Sequence, residues 1–223
     1  MFLPSELATI ARGCLWPDGR VHVPAPTEPM AEPVQGAWTR DTDAARTDGG
    51  NLVYGSCLPT GCCNTVINAE ARRGRLITLD SKVSLDAYSA VTGFKQDDPA
   101  TDKGTDPLAM WAWWKKNPIA GWVLRDAIAL DPQNENAMRR AVEKYPAVGV
   151  VFNLGVDQQN QRVLKPSGQA GGWGKHFVAF DTFVGALDIG TSWGQPFYVD
   201  RSFFERPDFT PAAWALDIVP VAA

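Results

Sequence analysis

Cys57 stands where a thiol could become reactive. Tyr54-Gly55-Ser56 makes a tight, small-residue approach to it, and Pro59 follows two positions on, where the first turn of a helix tolerates a residue with no amide hydrogen. This context predicts Cys57 at a helix N-terminus. A sulfur there feels the positive end of the helix dipole, which favours the thiolate, and the same unpaired amides can receive an oxyanion. Taken alone, a buried structural cysteine is the commoner reading. The chain has two histidines, His22 in a Pro-rich arm and His176, which lies where the Gly171-Gly-Trp-Gly loop enters an apolar, strand-like run. A cysteine at a helix start with a strand histidine far downstream is the arrangement of a thiol nucleophile and its general base. Asn51, six positions before Cys57, carries an amide able to donate a second oxyanion hydrogen bond.

The elements that must position these groups can be read from periodicity. Residues 59–73 bring Cys63, Val66, Ile67 and Ala71 to one face at spacings of three and four, and Gly74 ends that helix. Residues 84–92 read as a second helix capped at Gly93. Asp106 caps a third at Pro107, with Leu108, Trp111, Ala112 and Trp114 expected inward. The Trp111, Trp113 and Trp114 group reads as core packing rather than as a stacking platform. Residues 134–145 make a fourth helix with Glu135 and Arg139 paired one turn apart. Strands are expected at 122–130, 148–154, 176–183, 187–191, 197–199 and 213–219, with a polar loop at 158–172. Helices first and strands later give an α+β architecture. The division expected is a Pro-rich extended arm over 1–50, a helical lobe over 51–146 carrying Cys57, and an antiparallel β lobe over 147–223 carrying His176. A short helix at 5–12 is expected in the arm, which is otherwise extended and packs on its own domain or on a neighbouring subunit.

The hairpin after His176 bears on a third catalytic group. With Phe183 and Val184 as the central turn residues, His176 lies opposite Thr191, on the same face, while Asp188 lies opposite Ala179 and faces away. A slip that brings Gly185 into the turn makes Asp188 the second candidate. A threonine hydroxyl can accept the imidazole hydrogen and fix one tautomer. Asp181 reads as a turn-forming surface residue.

Composition limits the remaining choices. A chain of 223 residues with 45% hydrophobic residues is long enough for one domain with a substantial core. The net charge of -4 and the absence of a basic run longer than two residues argue against a nucleic-acid surface. The start lacks a basic leader region, and nothing reaches membrane-spanning length, so no membrane partner is expected. Cys14, Cys57, Cys62 and Cys63 have neither metal spacing nor a disulfide framework. No metal or cofactor is expected, and reduced thiols point to synthesis inside a cell.

Asn51 through Gly55-Ser56-Cys57, then His176 opening a strand, then Thr191-Ser192-Trp193-Gly194, resembles the papain-like cysteine peptidase pattern. The sequence is more closely similar to papain-fold proteins encoded by tailed bacteriophages and prophages. Five blocks carry that likeness in order: Tyr88 to Phe94, Asp102-Lys-Gly-Thr105, Met110-Trp-Ala-Trp113 before Pro118, the His176 strand, and Trp193-Gly-Gln195 leading to Phe203-Phe204. The resemblance covers residues 48–220. It implies a helical lobe against an antiparallel sheet, Cys57 as nucleophile, His176 as base, Thr191 where the family has Asn, and Asn51 where it has Gln. Trp193 would then shield the contact between His176 and Thr191. A peptide or protein substrate is implied, with phage virion proteins as partners, and synthesis in the host cytoplasm with incorporation in the virion. Because Thr191 and Asn51 depart from the family pattern, the alternative expectation is a virion structural protein: a capsid decoration, neck or tail component using the fold as a scaffold.

Overall fold

The computed structural model describes residues 46–158, 161, 163–184, 187–192 and 194–221. The expectations for residues 1–45 of the arm, with Cys14 and His22, and for Trp193 lie outside the described residues. Among the described residues four α-helices and a seven-stranded sheet follow in chain order: α1 (Cys57–Arg72), α2 (Ser81–Thr92), α3 (Pro107–Trp114), β1 (Trp122–Leu130), α4 (Glu135–Lys144), β2 (Ala147–Leu154), β3 (Val163–Leu164), β4 (Gly174–Val184), β5 (Leu187–Ser192), β6 (Gln195–Asp200) and β7 (Ala212–Pro220).

Side-chain capping starts three of the helices. Asp80 accepts from Lys82 N–H at 2.7 Å, Asp106 from Leu108 N–H at 2.9 Å and Asn134 from Ala137 N–H at 3.0 Å, each meeting a donor that the first turn leaves unpaired. Gly93 stops α2 in the left-handed conformation, with φ +74°. In α3 the inward residues are Pro107, Met110, Trp111 and Trp114. Leu108 and Ala112, expected inside, point to solvent, because an eight-residue helix can turn only one stripe to the core and the two large indoles set which one.

The sheet order is β1-β7-β2-β4-β5-β6-β3, antiparallel throughout except where β3 joins β6 in parallel. β1 pairs along its length with β7, so the sheet draws strands from both halves of the chain. The two-residue β3 lies inside the loop expected at 158–172 and is too short to leave a period in sequence.

Alternation along the strands sends side chains to two cores. On one face Val148, Val150, Phe152, Val178 and Phe180 pack with Met138, Ala141 and Val142 of α4 and with Phe203, Phe204 and Phe209. On the other, Val151, Phe177, Ala179 and Leu216 meet Cys62, Cys63 and Val66 of α1 and Met110, Trp111 and Trp114 of α3. Phe177 is the key of the second core. A Cβ at Gly61 of α1 would stand 2.4 Å from its ring, and one at Gly149 of β2 the same distance from it, so both positions demand glycine to let helix and sheet close on the aromatic side chain.

Candidate active site

α1 begins at Cys57 itself, two residues before the expected start. Ser56 takes the N-cap position, but its hydroxyl donates to Gly49 O at 3.1 Å rather than capping the helix. The preceding loop folds back on the first turn: Thr60 Oγ1 donates to Gly49 O at 3.3 Å, and Asn51 N–H donates to Asp48 O at 2.8 Å. Asn51 is thereby buried in the loop that packs beside the helix start.

The direction of α1 along the sheet follows from its far end. Arg72 donates to Val142 O at 2.5 Å and Glu143 O at 3.2 Å, at the end of α4 and just ahead of Ala147 where β2 begins. Because Val148 is paired with Phe180, the helix C-terminus lies at the Phe180 end of β4. Gly61 sits over Phe177 and Ala179. Cys57, one turn earlier and about 6 Å back along the axis, is carried toward the Gly174–His176 end of that strand. The thiol and the imidazole therefore come to the same end of the sheet. They do not start from the same face: Phe177 points to α1, whereas His176 alternates with it and lies beside Phe152 and the Phe197 ring, 5.8 Å away. Cys57 is 2% exposed and His176 1%.

The partner of His176 differs from the one expected. Its Nε2 lies 2.6 Å from Ser192 Oγ. The observed turn places Val184 opposite Leu187, and a bulge at Asp181 shifts the register, so Thr191 pairs with Ala179 instead of His176. Thr191 thus falls on the opposite face, where its Oγ1 accepts from Arg46 Nε at 2.6 Å. Asp181, expected at the surface in a turn, is 1% exposed and lies 3.9 Å from the Arg46 guanidinium. A one-residue bulge is invisible to a pairing argument that assumes a regular ladder, and it flips every side chain beyond it. Ser192 stood within the quoted Thr191-Ser192-Trp193-Gly194 block, one position from the residue chosen.

Asp188, the second candidate, is not near the imidazole. It pairs with Phe183 and stands four residues from Ser192, about 13 Å at the usual strand rise. Its carboxylate faces Arg201 at 3.8 Å. Burial pushes its pKa up to about 6, against the opposing pull of Arg201 and Arg139.

A polar network missed in the sequence underlies the thiol. Tyr88 Oη donates to Asp102 Oδ1 at 2.8 Å and accepts from Gly104 N–H at 2.8 Å, while Gly55 N–H, two residues before Cys57, donates to the same Asp102 oxygen at 2.9 Å. Burial, and then the hydrogen bond to Asp102 and its charge, hold the Tyr88 phenol far above the ordinary tyrosine range, with Cys57 acting as a further negative neighbour. Both residues belonged to recognised blocks, but their separation in sequence hid the contact. Cys62 and Cys63 lie within the core behind Cys57; burial pushes Cys63 up to about 12 and raises Cys62, with Cys63 adding to the effect. Both remain protonated thiols at neutral pH.

No protein-family model matches the chain, and no curated protein sequence does. Solved structures do. Digestive procathepsin L 3 of the Tenebrio molitor larval midgut superposes with a TM-score of 0.61 at 17% identity, over 97% of this chain and 78% of that one. The cysteine protease and lectin-like domains of Cwp84, a surface layer associated protein of Clostridium difficile, give a TM-score of 0.60 at 10% identity, over 100% of this chain and 61% of that one. The fold is papain-like. The α+β arrangement is the one expected from the order of helices and strands, and the papain-like fold is the one the resemblance implied, with α1 against the sheet and Cys57 at its start. Within this papain-like fold, no helix among the described residues is long and apolar enough to cross a membrane.

Proposed function

We propose that this chain is a papain-like cysteine hydrolase, a peptidase or amidase, with Cys57 as nucleophile and His176 as general base. The observation that carries the reading is the 2.6 Å contact between His176 Nε2 and Ser192 Oγ at the strand end toward which α1 directs Cys57. With Nε2 held by Ser192, Nδ1 is the nitrogen that takes the thiol proton. The thiolate then attacks the carbonyl carbon of an amide. The Cys57 backbone N–H, at the start of α1, and the Asn51 amide receive the oxyanion. The imidazolium returns its proton to the leaving nitrogen as the C–N bond breaks, and water activated by His176 splits the thioester and restores the thiol. Ser192 replaces Thr191 as the group that orients the ring.

The substrate class is a protein or a peptidoglycan cross-peptide, and the source is a tailed bacteriophage or prophage. The support for that source is the order of five blocks in the sequence. Synthesis in the host cytoplasm, with incorporation in the virion, follows from it. A second reading, a virion scaffold with little activity, is favoured by the enclosure of both groups, 2% and 1% exposed. A thiol-directed affinity reagent with labelled positions read by mass spectrometry separates them. The hydrolase reading expects Cys57 to be labelled ahead of Cys62 and Cys63 near neutral pH, with labelling lost in His176→Ala. Equal, slow labelling of all three supports the scaffold.

A further inference from the structure

We propose that Tyr88 and Asp102 are positioning residues for the Cys57 thiol, a role that rests on the hydrolase reading above. Asp102 clamps the backbone two residues ahead of the nucleophile and sets a fixed negative charge beside the start of α1, and Tyr88 moderates that charge. Three hydrogen bonds of 2.8–2.9 Å tie Gly104, Tyr88, Asp102 and Gly55 into one chain, drawn from α2, the 95–105 loop and the approach to Cys57. Tyr88 is wholly buried and Asp102 is 6% exposed, so water screens neither strongly. Gly55 and Cys57 are two residues apart, at most about 7 Å between Cα atoms, which keeps the carboxylate within electrostatic reach of the sulfur. The stacked Phe94 ring, 4.5 Å from that of Tyr88, and the edge of Tyr54, 4.9 Å from Phe94, fix the phenol from the other side.

The titratable groups on elements that meet this helix start include Tyr88 from α2, Asp102 from the 95–105 loop, Asp48 and Tyr54 from the loop before Cys57, and Cys62 and Cys63 from α1 itself; His176 of β4 comes to the same end of the sheet. A merely structural clamp and a positioning one differ in a measurable way. The Gly55 and Tyr88 hydrogen bonds both end on Oδ1, so Asp102→Asn can keep an acceptor for them while it removes the charge. Tyr88→Phe does the reverse: it withdraws the donor that partly neutralises the carboxylate.

The test is the pH profile of Cys57 alkylation by iodoacetamide, read by mass spectrometry on the full chain and each variant. Asp102→Asn moves the Cys57 midpoint down by about one unit while leaving the plateau rate within about twofold, and Tyr88→Phe moves the midpoint up. Opposite shifts support the proposal, and either variant alone carries a definite sign should the other fail to fold. Midpoints equal to wild type, or shifts of the same sign, overturn it. If wild-type Cys57 is alkylated no faster than Cys62 and Cys63, the hydrolase reading falls and this inference with it. A reactive Cys57 with an unmoved midpoint overturns the inference alone.

Discussion

Two buried carboxylates in this chain are treated in opposite ways. Asp102, behind the start of α1, receives a backbone N–H at 2.9 Å and a phenol at 2.8 Å. Asp188, on the α4 face, stands 3.8 Å from Arg201, and its Oδ2 and Arg201 Nη1 are buried without a hydrogen-bond partner among the described residues. Arg201 spends its other terminal nitrogen on Pro132 O at 2.7 Å and lays its guanidinium over Phe204. The difference separates a fixed charge from a costly one. A carboxylate satisfied by aligned donors stays where it is put and can set the electrostatics of a neighbour. One that faces its partner across a gap bears the desolvation cost and titrates nearer neutrality. In this chain the first kind is tied to Gly55, two residues before Cys57, and the second lies in the body of the sheet.

The contrast can be broken or sharpened by substitution. His176→Ala is the largest blow to the thiol end, slowing hydrolysis of a responsive peptide substrate by at least about 100-fold, measured as kcat/KM. Phe177→Ala attacks the packing that delivers α1 to that end. It empties the space between Gly61 and Gly149 and costs about 3–5 kcal/mol in chemical denaturation. Ser192→Ala removes the hydroxyl held against Nε2 and slows alkylation of Cys57 by about 10-fold or more. Thr191→Ala, which removes the acceptor of the Arg46 Nε hydrogen bond, leaves that rate within a few-fold. A larger effect of Thr191→Ala than of Ser192→Ala would argue for the regular register over the bulged one.

The smallest effect belongs to the other carboxylate. The folded-state pKa of Asp188 is raised from 3.8 to about 6, so its contribution to stability is fully present below about pH 4 and is lost as pH rises through 6. Asp188→Asn therefore flattens the pH dependence of unfolding free energy between pH 4 and 6, by about 2 kcal/mol at most. An unchanged slope would mean that Arg201 compensates the charge fully.

Much of this was legible in the sequence because it is local. Asp106 and Asn134 announce helix starts through short-range hydrogen bonds, and Gly93 announces a stop, whereas Asp80, which caps α2 at Ser81, was missed and that helix was expected only from residue 84. The apolar run at 148–154 reads as a strand, and β2 lies inside the sheet between β7 and β4. What was not legible depends on pairing across the chain. The bulge at Asp181 moved Thr191 away from His176 and brought Ser192 in. The link between Tyr88, Asp102 and Gly55 spans three separate segments, and no local pattern encodes it. Burial of Asp181 beside Arg46 has the same origin: a polar residue in a strand looks like a turn former until its partner is known.

The most direct test of the central claim, that the thiol of residue 57 and the imidazole of residue 176 act as one unit, is ultraviolet titration of thiolate absorbance. Wild type is compared with Cys57→Ala and with His176→Ala. The account predicts a thiolate present near neutral pH that disappears in both variants. A wild-type protein that gains thiolate absorbance only in the alkaline range, with His176→Ala indistinguishable from it, would contradict the account.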